Sequence, residues 1–363
     1  MKATNKQTSK KRDSNIELFR IILMILIIAH HYVVNSGLLP MLIASPTEKQ
    51  SVFLAIAGAF GKICINCFVL ITGYFMCKSH ITLQKFLRFV FEVIFYYVII
   101  YFIFCATGFI NFSIKDFLSL AAPIQVIGSD FTSAYIVLFL LIPFINILIK
   151  NLAKKKLLLL ITILLFAYSF LGTIPLIPVT IHYVSWFFVI YLIGAYIRLH
   201  LNKTISSNAK LWITISIFSV LMITLSIAIR LTTKPYLVHY DVNDSNKILA
   251  TISAVSFFML FKNWRIKYNK FINYLAASTF GVLLIHASGQ HMRNWLWVNT
   301  LNNVGMYSNP LLPLHLISSV LGVYCCCVAI DKVRIRFIEK PFFKMADPKI
   351  ARIENKIKKW LNS

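Results

Sequence analysis

Arg20 and His31 stand eleven residues apart in "NIELFRIILMILIIAHHYVVNS" (15–36), a stretch otherwise rich in bilayer-compatible residues. Eleven residues of α-helix turn through about 1100°, three turns plus about 20°, and rise about 16 Å. The two side chains therefore share one face, while His30 points about 80° away from Arg20. Arginine keeps its charge and suits anions. Histidine titrates near neutrality and can take or give a proton. Together they offer an anchored anion at one level and proton transfer about three turns away. The plainer alternatives are an arginine snorkelling to headgroups and a histidine satisfied by a backbone carbonyl.

Two further stretches carry polar groups of this kind. "GAFGKICINCFVLITGYF" (58–75) places Lys62 a few residues inside an apolar run, followed by Asn66 and by Gly73, whose expected use is close helix packing or the marking of a helix end. "NYLAASTFGVLLIHASGQHMRNW" (273–295) places His286 near the outer end of another run, with Thr279 seven residues earlier on nearly the same face. His286 and His31 fall at similar depths and are expected to line one cavity. Glu17 stands three residues before Arg20, the spacing of a helical ion pair.

The elements that must position these groups follow from composition. Of 363 residues, 58% are hydrophobic and 13% charged, and 30 are phenylalanine, more apolar surface than a soluble core of this size hides. Apolar runs at 16–35, 54–76, 89–110, 133–149, 157–174, 183–199, 211–230, 247–261, 272–290 and 312–331 predict an all-α, polytopic bundle of about ten transmembrane helices. Most of the 37 lysines and arginines fall in alternate segments, which the positive-inside rule assigns to the cytoplasm with both termini. The expected division is a basic amino-terminal segment, 1–15, a membrane domain, 16–331, and a basic tail, 332–363. The first run lacks a small-residue cleavage pattern and reads as a retained span.

Other chemistries find little support. The formal charge of +25 is scattered in packets rather than gathered in a stripe, so no nucleic-acid partner is expected. The seven cysteines sit in or beside apolar runs, and "CINC" has no second ligand pair, so neither a disulfide framework nor a metal is expected. No Walker, dinucleotide or HExxH motif is present. "HYDVND" gives His239 and Asp244 an HxxxxD spacing, but on an expected outer loop. Topology and embedded cations alone suit a transporter or flippase for a lipid-linked glycan or small hydrophobic solute as well as an enzyme.

The motifs, taken in order, resemble the integral membrane acyltransferase 3 family, particularly members that O-acetylate bacterial surface polysaccharides. The matching pieces are the Arg20 to His31 arrangement, "CFVLITGYF", "WFFVIYLIGAYIRL", "STFGVLLIH" and the closing "IEKPF", spanning about residues 15 to 343. The resemblance implies a ten-helix enzyme of the bacterial cytoplasmic membrane. It would take an acetyl group from cytoplasmic acetyl-CoA and deliver it to a hydroxyl of a surface glycan or lipid-linked sugar. It makes Arg20 and His31 the essential pair, with His286 beside them. On that reading Arg20, with Lys78, Lys85 and Arg88, would hold the anionic part of the donor, and Lys62 and Thr279 would serve the acceptor or stabilise charge. One departure is Leu283, where a tyrosine often stands three residues before the histidine.

Overall fold

Every expected apolar run folds as helix in the computed structural model, which describes residues 13–124, 130–177, 179 and 181–361. Residues 1–12 of the expected amino-terminal segment lie outside the described residues. In chain order the helices are α1 (Ser14–Val34), α2 (Leu38–Ala44), α3 (Lys49–Ala57), α4 (Gly61–Met76), α5 (Leu83–Ala106), α6 (Ile114–Ala121) and α7 (Phe131–Asn151). They continue with α8 (Lys154–Leu164), α9 (Leu171–Thr173), α10 (Tyr183–Leu199), α11 (Lys203–Ser206), α12 (Ala209–Thr233) and α13 (Ile248–Asn263). The last are α14 (Lys270–Ala276), α15 (Thr279–His286), α16 (Gly289–Arg293), α17 (Leu312–Arg334) and α18 (Lys340–Leu361). Side-chain caps start several of them: Asp130 accepts from the Ser133 amide at 2.7 Å and Asn208 from the Leu211 amide at 3.0 Å, relieving orphan helix donors.

Among the described residues, seven helical segments are long and apolar enough to cross a membrane, and eight if the bent pair Lys270–His286 and Gly289–Thr300 is one span. The sixth and eighth expected runs become the shorter apolar helices α10 and α13. The chain is a multi-pass membrane protein. Its outward faces agree: on α12, Ile217, Phe218 and Leu221 are exposed while Ser216 and Ser219 point inward. That inversion is what a lipid solvent selects, because inward hydroxyls find partners there and outward apolar groups meet hydrocarbon.

Two expected runs are interrupted. The second, within the single span Lys49–Met76, carries a turn at Gly58–Phe60, which puts Lys62 in the first turn of α4. The ninth does not continue to residue 290: after His286 the chain turns by 99°, with Gly289 at φ +74°. A non-glycine residue at that angle would be strained, which is why the turn falls there.

Helices α4 and α10 approach most closely where two glycines face each other's backbone. A Cβ on Gly73 would lie 2.4 Å from the Tyr191 carbonyl oxygen, and one on Gly194 would lie 2.6 Å from that of Leu70. Small residues allow such contact in lipid, where apolar burial does not itself drive helices together. A second tie joins α5 to α17. The Arg334 guanidinium, 3% exposed, meets Asp331 at 2.9 Å, Glu92 at 3.1 Å and Glu339, of the "IEKPF" motif, at 2.6 Å. Tyr96 donates its hydroxyl to Asp331 at 2.7 Å.

Two stability outcomes follow from these contacts. Gly73→Leu and Gly194→Leu each destabilise by about 1–3 kcal/mol or more through overpacking, whereas Gly322→Ala, where a Cβ meets open space, is neutral in the same thermal unfolding assay. Arg334→Ala costs about 3–5 kcal/mol, because it leaves the fully buried Asp331 carboxylate without its counter-charge.

Candidate functional site

Helix α1 carries the site, and its ends are fixed by polar contacts. At one end Ser14 Oγ accepts from the Asn269 amide at 2.8 Å, and Asn15 donates to the Phe261 carbonyl at 2.9 Å. At the other the Asn303 side chain donates to the Tyr32 carbonyl at 3.1 Å, and the Tyr32 hydroxyl lies 2.7 Å from His315 Nδ1. Between these clamps one face of α1 lines a cavity of about 940 Å³, of the size that holds a cofactor-sized ligand.

Arg20, His30, His31 and Lys62 all line this cavity. The wall around Arg20 adds Glu17, Arg88, Arg198 and Lys262. The wall around His31 adds Tyr97, Asp130, Tyr183 and Arg293, and Met24, Ile27, Phe89 and Phe280 form apolar stretches of the lining. Arg20 pairs with Glu17 at 3.4 Å, as the spacing of the two predicted. Arg88 is bound to Asp347 at 2.8 Å and lies 3.8 Å from Glu339. Arg198 donates to the Tyr74 hydroxyl at 2.8 Å, and Lys262 donates to Asn263 Oδ1 at 3.2 Å.

His31 Nδ1 lies 3.1 Å from His286 Nε2, joining residues of α1 and α15. His286 Nδ1 lies 2.6 Å from the Val282 carbonyl oxygen. A carbonyl only accepts, so His286 Nδ1 carries its proton, and in the neutral ring Nε2 is the acceptor. His31 Nδ1 then donates to it, which leaves His31 Nε2 with the free lone pair. His31 lines the cavity that Arg20 shares. His286, fully buried, borders a second, predominantly apolar cavity of about 1030 Å³ between α5 and α17.

Not every expected site residue joins this group. Thr279 is fully buried and donates to the Ala276 carbonyl at 2.7 Å, a bond within its own turn. Lys78 and Lys85 are exposed and do not line the cavity, whereas Arg88 does. His239 Nε2 lies 2.7 Å from the Ala55 carbonyl oxygen and Asp244 accepts from the Ser245 amide, so each residue of the HxxxxD spacing has its own backbone partner. Among the described residues no group of three or more His, Cys, Asp and Glu is gathered for a metal ion. Sequence reasoning missed Tyr183 and Arg293 at the His31 end, and Arg198 and Lys262 at the other. Arg198 closes the quoted "GAYIRL" segment, a signal that was available; Arg293 reaches the cavity only because the chain bends after His286.

Residues 13–332 match the acyltransferase 3 family model, described as an acyltransferase domain. No curated protein and no solved structure matches the chain.

The hydrogen-bond chain fixes a tautomer, which nitrogen NMR reads directly. With ¹⁵N-histidine in lipid nanodiscs, His31 is expected as the Nδ1–H form, and His286→Ala shifts it toward the Nε2–H form. An unchanged His31 spectrum in that variant would remove His286 as its orienting partner.

Proposed function

The chain belongs to the integral membrane acyltransferase 3 family, and from that premise we propose that it transfers an acetyl group from cytoplasmic acetyl-CoA to a hydroxyl of a cell-surface or lipid-linked polysaccharide. The observation that carries this reading is the 3.1 Å contact between His31 and His286 at a cavity that also holds Arg20. In this reading the protein crosses a bacterial cytoplasmic membrane ten times, counting α10 and α13 as spans, with both termini cytoplasmic. The membrane domain is residues 16–331, between the basic ends 1–15 and 332–363.

Acyl transfer from a thioester to an alcohol needs a base, a stabilised oxyanion and a hold on the donor's phosphates. Arg20, Arg198 and Lys262 hold the coenzyme's anionic end, with Arg88 beside them already engaged by two carboxylates. The pantetheine arm then follows the apolar lining for the roughly 16 Å that separates Arg20 from His31 along α1. His31 Nε2 takes the acceptor's hydroxyl proton as the oxygen attacks the thioester carbonyl. The tetrahedral oxyanion collapses, the carbon–sulfur bond breaks, and the imidazolium returns its proton to the departing CoA thiolate. His286 is a positioning residue: it holds His31 in the tautomer that points a lone pair at substrate.

Purified protein in lipid, given acetyl-CoA and a panel of surface glycans, releases free CoA only with a suitable acceptor. His31→Ala lowers kcat by about 10²–10⁴-fold, the usual worth of a general base. Arg20→Ala raises the KM for acetyl-CoA about tenfold. His286→Ala lowers kcat, and His286→Gln, which can still accept from His31, recovers part of it. Solute movement without CoA release, in folded wild-type protein, would put transport in place of acyl transfer.

A further inference from the structure

Lys62 and Arg293 line the His31 end of the cavity, and both are close enough to His31 to act on it through space. Among the described residues neither forms an ion pair with a carboxylate. Lys62 donates one N–H to the Tyr183 hydroxyl at 2.5 Å, which leaves its other protons, and that of Tyr183, free to donate. Arg293 Nε is buried with no hydrogen-bond partner. Asp130, an acid that also lines the cavity, caps the Ser133 amide through Oδ2 and, among the described residues, forms no ion pair with Lys62 or Arg293. Helix α4 begins here at Gly61 without a capping side chain, so its positive end adds to the field.

A lysine in the first turn of a helix opposes the helix dipole, and unpaired cations in an apolar bundle are costly. Negative charge from a substrate offsets both. The donor's phosphates do not supply it, because they are held at the Arg20 level, about 16 Å away along α1. The missing charge belongs to whatever lies on the far side of the reacting carbonyl.

We infer that Lys62, Arg293 and Tyr183 form a second anion subsite beside the His31–His286 pair, which takes a phosphate or carboxylate. That group is carried either by the acceptor, near its reacting hydroxyl, or by the distal end of a dicarboxylic acyl chain. The inference rests on the acyl-transfer reading above and specifies its substrates.

The test uses the full chain in nanodiscs. One arm compares methyl glucoside with glucose 1-phosphate as acceptors for acetyl-CoA; the other compares acetyl-CoA with succinyl-CoA as donors to methyl glucoside. In the arm that identifies the source, kcat/KM favours the charged partner by about tenfold or more. Arg293→Gln and Lys62→Gln collapse that ratio mainly through KM, and Arg293→Lys retains most of it. Equal losses on charged and uncharged partners would overturn the subsite and leave these residues to stabilise the oxyanion or the fold. Thermal stabilisation by glucose 1-phosphate or succinate is measured alongside. If no pair of substrates releases CoA, the acyl-transfer reading fails while this measurement still decides the subsite: a stabilisation lost in Arg293→Gln supports it, and none in wild type overturns it.

Discussion

A hydrogen bond between side chains 255 residues apart, His31 to His286, is only as good as the contacts that hold α1 against α15. In hydrocarbon, apolar surface alone does not order helices; packing and polar contacts do. The Ser14, Asn15, Tyr32 and Asn303 contacts clamp α1 near both ends, so its His31-bearing face has little freedom to rotate. The glycine pair of α4 and α10 brings the opposite wall close, and Tyr183, at the start of α10, meets Lys62, at the start of α4, for that reason.

The charges follow the same rule. Buried Arg334 and Asp331 and half-buried Glu92 and Glu339 form a set in which each carboxylate faces the one guanidinium, and it pins α5 to α17. Glu92 and Glu339 also line the cavity shared by Arg20 and His31, so the network that ties the bundle together is part of that cavity's wall. At the Arg20 end, Arg20 and Arg88 are accompanied by Glu17, Asp347 and Glu339 while Arg198 and Lys262 bond to neutral oxygens; at the His31 end, among the described residues, neither Lys62 nor Arg293 is paired with a carboxylate.

Much of this was legible from residue types and spacing. The apolar runs located the helices, the eleven-residue interval put Arg20 and His31 on one face, and the three-residue interval joined Glu17 to Arg20. Gly73 was legible as a packing glycine because a small residue amid bulky ones has few other uses in lipid. Periodicity did not reveal the breaks at Gly58–Phe60 and after His286, since hydropathy continues across both. Those breaks decide which way Lys62 and Arg293 point, so the cationic group at the His31 end was hidden. Thr279 shares a helical face with His286, yet its hydroxyl bonds within its own turn, a local competition that spacing does not resolve.

The apolar stretches of the cavity shared by Arg20 and His31 have an electrical consequence. A membrane that carries a potential cannot tolerate a leak of ions through a protein, because each elementary charge crossing 100 mV gives up about 2.3 kcal/mol. Met24 and Ile27, two of the cavity-lining residues of α1 between Arg20 and His31, put hydrocarbon on that wall, and fixed cations on either side of them make a field unfavourable to free cations. The same stretch of wall therefore suits an apolar chain and disfavours a small cation.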